Sequence, residues 1–179
     1  MRASHLAIAL ALAVAACASP PAATTTTSLV SADASTSLIA GERLTAAYAT
    51  HAAAQGQDPL VVLTLRHGDG RSLAFEQANH TPNDTMAQSP GGPLAQIMGL
   101  FGEEAPVLYR ARRGETHGAP FLCGPDGPAN VGVYEASDGA VQVVGLRQDI
   151  QFEARPDGAS EALPYSPDQV CARLRFRRG

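Results

Sequence analysis

The stretch Val131-Gly132-Val133-Tyr134-Glu135-Ala136-Ser137-Asp138-Gly139-Ala140-Val141-Gln142-Val143-Val144-Gly145-Leu146-Arg147 decides the fold class. Two β-branched, apolar-rich runs, Val131–Glu135 and Ala140–Arg147, flank the turn formers Ser137-Asp138-Gly139. Aspartate and glycine accept the backbone angles a tight reversal needs, so the segment reads as a β-hairpin. Downstream, Ile150–Arg155 reads as a strand closed by the turn Pro156-Asp157-Gly158, and Val170–Arg177 as the last strand. Upstream, Pro106–Arg113 is strand-like. A second hairpin runs from Leu60–Arg66 through Gly68-Asp69-Gly70 and back along Ser72–Gln77. Asn79–Pro93 and Gly114–Pro128, rich in glycine, proline and other turn formers, read as long loops.

Two helices are expected. Leu94, Ile97, Met98 and Phe101 recur at i, i+3, i+4 and i+7, bounded by Gly91-Gly92-Pro93 and Gly102. Ser37 is placed to cap a longer helix over Leu38–Gln55 that stops at Gly56, with Leu44 and Tyr48 on one face. The sum is an α+β fold: an antiparallel β-sheet, or a bent barrel-like sheet, of about six to seven strands with two helices.

The amino terminus has a different character. Met1-Arg2 is followed by the apolar run Leu6–Ala16 and then Cys17. A basic start and a short apolar stretch ending in small residues make a secretory signal over 1–16, too short for the roughly 20 residues that span a bilayer. Val14-Ala15-Ala16-Cys17 resembles the lipobox of bacterial lipoproteins. The resemblance covers about seventeen residues. It implies cleavage before Cys17 and acylation of that cysteine, so the membrane becomes a partner through the anchor. It also implies a periplasm-facing location in the cell envelope, on the outer membrane if the host has one. Ala18–Thr36 is a Pro/Thr/Ser/Ala stretch with one charge, so 17–36 reads as a lipidated tether of up to roughly 60 Å. The globular domain is then 37–179.

With Cys17 acylated, Cys123 and Cys171 remain, an even pair in an oxidising compartment. Their disulfide would close a loop of about 48 residues and contribute roughly 4 kcal/mol in the chain-entropy model. Strict alternation puts Cys171 on the arginine side of the last strand. Either the bond crosses at the sheet edge or a bulge precedes the regular strand.

Of the 179 residues 17% are charged, the 13 cationic residues are all arginine, and the net charge is −4. Losing Arg2 with the signal makes it −5. An acidic chain with 5% aromatics and no Trp offers neither the field nor the stacking platform of a nucleic-acid binder. The histidines form no HxxxH or HxH pattern, so no metal or other cofactor is expected. His67 and His80, with Asp69 and Asp84 nearby, are the only acid–base pair to consider. Glu103-Glu104 reads as a solvated helix end, and Ser89-Pro90-Gly91-Gly92 matches a phosphate loop only in its glycines. At period two, Arg110 and Arg112 share one strand face, and Arg173, Arg175 and Arg177 share another. If the two strands are neighbours, they build an anion-binding face for an anionic glycan, lipid headgroup or acidic envelope protein. If not, the arginines pair with carboxylates such as Glu115, Glu135 and Glu153.

In gross layout, an anchor followed by a small β domain with one disulfide, the chain is similar to the lysozyme-inhibiting lipoproteins. That similarity implies a compact antiparallel barrel and carries no residue across. The functional expectation is a non-catalytic binding or interaction lipoprotein of the cell envelope. The alternatives are a lysozyme-inhibitor-like or lipid/glycan-binding module, and an enzyme with dispersed residues around His67 and His80.

Overall fold

The central hairpin is present, as β6 (Asn130–Glu135) and β7 (Ala140–Leu146), with Val133 opposite Val143 and Val131 opposite Gly145. Gly139 takes φ +80° in the turn, where an L side chain would be strained, and the Asp138 carboxylate accepts the Ala140 N–H at 2.9 Å. Both strands are buried on both faces, which is why their sequence is almost continuously apolar. The computed structural model describes residues 23–31, 43–51 and 59–178. The expected signal peptide and Cys17 lie outside the described residues.

Eight antiparallel strands close into a barrel around this hairpin. β1 (Ala23–Ser31), β2 (Arg43–His51), β3 (Leu60–His67), β4 (Ser72–Gln77), β5 (Val107–Ala111), β6 and β7 follow one another as a meander. β8 (Phe152–Ala154) and β9 (Ser160–Ala162) form a separate two-stranded excursion. β10 (Val170–Arg178) then pairs with β7 and β1, and β1 with β2, which removes both sheet edges. An eight-stranded barrel is just wide enough for side chains to fill. Here the filling comes from Leu44, Leu63, Leu65, Leu73, Phe75, Val131, Val141, Val143 and Leu174. The antiparallel barrel-like sheet and the disulfide are thus as expected.

Three expectations are corrected. First, the helix expected over Leu38–Gln55 is contradicted where that stretch is described: Arg43–His51 is β2, hydrogen-bonded along both edges. The four-residue spacing of Leu44 and Tyr48 fits period two as well as period 3.6. Leu44 and Ala46 alternate into the barrel interior, and ladder pairing overrides the helix propensity of alanine. Second, the stretch read as tether contains β1. A strand of the barrel therefore precedes residue 37, the expected start of the globular domain. Thr24–Thr27 is a β-branched run, and pairing with two neighbours supplies the order its composition alone does not.

Third, among the described residues the α-helical content lies in one segment, residues 82–98, split into α1 (Pro82–Gln88) and α2 (Pro93–Met98). α1 falls in a stretch read as loop. Thr81 caps it, accepting the Asp84 N–H at 3.1 Å while the Asp84 carboxylate takes the Thr81 N–H at 2.9 Å, and Pro82 opens the first turn. Leu94, Ile97 and Met98 of α2 are buried against the outer face of the barrel, as their spacing requires. Phe101 is not. Gly99 ends the helix at φ +72°, and Phe101 stands 83% exposed in the turn beyond. Gly132 on β6 lets α2 approach: a Cβ there would lie 2.8 Å from Leu94 Cδ1 and 3.1 Å from Met98 Sδ.

Candidate functional site at the barrel mouth

The two ends of the barrel differ. One is plugged by residues 114–128, whose Leu122 and Cys123 are buried in the barrel core. Cys123 is bonded to Cys171 with Cα atoms 5.0 Å apart. A register shift between Val170 and Ala172 marks a bulge, so of the two geometries open from sequence the bulge is the one adopted. Gly145 makes room, because a Cβ on it would lie 2.8 Å from Cys123 Sγ and 3.5 Å from Cys171 Sγ. Within the plug, Phe121 packs against the His67 ring at 5.4 Å and under the Arg71 guanidinium at 5.7 Å. In the β3–β4 turn, Asp69 Oδ1 accepts the Arg71 N–H at 3.0 Å, and its Oδ2 meets Arg71 Nε at 2.7 Å. The Asp69 carboxyl is lowered to about 2, first by that backbone hydrogen bond, with the Arg71 and His67 side chains adding to it.

At the opposite end the described residues leave a cavity. Tyr48, Ala105, Val107, Tyr109, Val133, Tyr134 and Glu135 line a cavity of about 290 Å³ there. The Tyr48 and Tyr109 rings meet at 6.3 Å, tilted by 52°. Burial raises the Tyr109 phenol above its ordinary range, and Tyr48 and Glu135 push it the same way, so Tyr109 is a neutral hydrogen-bonding group at any physiological pH. On the rim, Tyr134 donates to Glu104 Oε1 at 2.6 Å while Glu104 Oε2 accepts the Phe101 N–H at 3.1 Å. Glu104, read from sequence as part of a solvated helix end, instead fastens the turn after α2 to the mouth.

The candidate residues distribute as follows. His67 and His80 stand beyond opposite ends of β4 and do not form one site. His67 Nδ1 faces Asp69 at 3.0 Å, and His80 Nε2 lies 3.4 Å from Glu76 Oε1. The arginines do not make one face either, because β6 and β7 lie between β5 and β10. Arg110 meets the fully buried Asp84 at 2.6 Å and Asp149 at 3.2 Å. Burial of Asp84 opposes ionisation, but hydrogen bonds from Arg110 and Thr81 outweigh it and hold the carboxyl below its usual range. Arg112 pairs with Glu115 at 2.7 Å and Glu76 at 3.8 Å. Arg173 donates to the Ile97 carbonyl at 2.8 Å, while Arg175 is exposed. Arg177 lies on β10, with its side chain outside the described residues.

A second, more polar cleft of about 270 Å³ opens beside Arg110, between α1, β5 and residues 149–152. Two carboxylates already occupy its guanidinium. Among the described residues, no group of three or more His, Cys, Asp or Glu is placed to hold a metal, and no helix is long and apolar enough to cross a membrane. No family model matches the chain, and neither a curated protein nor a solved structure matches it.

Sequence reasoning missed the mouth. Tyr48, Tyr109 and Glu135 lie on three strands far apart in the chain, and only barrel closure brings them together. The Thr81-Pro82-Asn83-Asp84 capping pattern was a readable sign of α1.

Proposed function

We propose that the chain is a lipid-anchored lipoprotein of the bacterial cell envelope that acts as a binding module, taking an amphipathic ligand, lipid or glycan, at the barrel mouth. The observation that carries this reading is the mouth itself, concave and lined by Val107, Val133, the tyrosines Tyr48 and Tyr109, and Glu135. An apolar wall with a few fixed polar groups is the usual make-up of a small-ligand site. Tyrosine suits it, offering an apolar face for a sugar ring or acyl segment and a hydroxyl at the tip. The Arg110 cleft supports binding less well, since an incoming anion would have to displace Asp84 or Asp149.

The test is chemical-shift mapping of the Cys17→Ser chain titrated with a lysophospholipid below its micelle concentration and, separately, with an amino-sugar oligosaccharide. Shifts confined to residues 48, 105–109 and 133–135 are the expected result, with Tyr48→Ala weakening binding about tenfold, as for loss of one aromatic contact. Shifts at the Arg110 cleft, or none with either probe, would overturn the assignment.

A further inference from the structure

The point where the chain enters the barrel fixes which end faces the membrane. Thr25 pairs with Tyr48 and Ala23 with Thr50, so β1 starts two residues farther out than the level of the mouth tyrosine. Cys17 precedes Ala23 by six residues, a span of at most about 20 Å even when fully extended. The plug of residues 114–128 is at the far end. Phe101, 83% exposed, is on the near end: its N–H is held by Glu104, which also holds Tyr134 on the rim, and Ala105 lines the mouth.

We infer that the barrel stands mouth-down on the lipid surface, with Phe101 seated in the headgroup region and the disulfide-bonded plug pointing away. The inference rests on the proposed acylation of Cys17. The occupant it assigns to this end is the bilayer, because the anchor's short reach brings the mouth there first. Phe101 is the large apolar side chain offered to it: an exposed aromatic on a fastened turn costs little ordering entropy to insert. The mouth then opens toward the phase in which an amphiphile resides.

The chain has no tryptophan, so one introduced indole reports on its own surroundings. The full-length chain is produced with its signal, the mature protein is weighed by mass spectrometry, and it is reconstituted into phosphatidylethanolamine/phosphatidylglycerol vesicles. Phe101→Trp is compared with His117→Trp, an exposed position on the plug. With phospholipids brominated in the upper acyl chain, Phe101→Trp is expected to shift to the blue and lose most of its emission, while His117→Trp keeps its own. Equal emission from the two variants in a chain whose mass includes the acyl groups overturns the orientation and leaves the anchor standing. A mature mass without acyl groups on Cys17 overturns the anchored reading, and the orientation with it.

Discussion

The plugged end and the mouth end of this barrel are fastened by different physics. At the plug, a covalent bond, a buried leucine and a glycine-made hollow hold residues 114–128 against β7 and β10. Away from the plug the fastenings are polar: on the mouth rim Glu104 joins the turn after α2 to Tyr134, and in the separate cleft beside α1 Asp84 joins that helix to Arg110 on β5. The first kind is indifferent to pH and sensitive to volume, the second the reverse. Loops tied by hydrogen bonds reorganise at lower cost than a disulfide-pinned plug, which agrees with the binding site proposed at the mouth. The comparison can be broken at either end, and the largest effect is expected at the plug. Replacing Cys171 by Ala releases a 48-residue separation and should cost about 4 kcal/mol, read as a lower urea midpoint. A midpoint unchanged from the parent would mean that the bond only decorates a plug already held by Leu122.

Volume tests the same end more finely. Gly145→Ala sets a Cβ 2.8 Å from Cys123 Sγ, an atom fixed by its bond, and should cost up to about 3 kcal/mol by urea unfolding. Gly132→Ala meets the flexible end of Leu94 at the same 2.8 Å and should cost less. In a Cys123→Ala background the Gly145→Ala penalty should largely vanish. A double-mutant cycle measures that coupling, and additivity would show that the two positions do not share the hollow.

What was legible in the sequence follows the same division. The β3–β4 and β6–β7 hairpins, the turn at Asp157-Gly158 and the cysteine pair announce themselves locally, through turn chemistry and residue parity. β1 and β2 do not. A threonine run and an alanine-rich segment become strands because each finds partners along both edges, which no local window contains. Phe101 satisfies the helical spacing yet lies outside, because Gly99 stops the helix two residues earlier. Arg110 lies on β5 and Arg173, Arg175 and Arg177 on β10, but Arg112 falls just past the end of β5, and β6 and β7 separate the two strands, so no single face forms. Arg110 and Arg112 found carboxylates of which only Glu115 was anticipated.

The smallest effect is expected where α1 is tied to β5, by charge in place of a covalent bond. Arg110→Ala leaves the buried Asp84 with only the His80 and Thr81 N–H groups, at 3.1 and 2.9 Å. Breaking a fully buried pair costs several kcal/mol, but this guanidinium is 39% exposed and water already screens it. About 1–2 kcal/mol at neutral pH is the expected loss. Its pH dependence distinguishes it from the plug variants. The Asp84 carboxyl is held below its ordinary value of 3.8, so its contribution is fully present above that pH and is lost as the pH falls through the lowered folded value. In Arg110→Ala the carboxyl loses its cation and the folded value rises. Urea midpoints of parent and variant, compared at pH 7 and then stepwise below pH 4, should therefore converge, whereas the Cys171→Ala deficit should persist through the same range. If both gaps close together in acid, the two fastenings are not independent, and the contrast between a covalent plug and a charge-tied α1 fails.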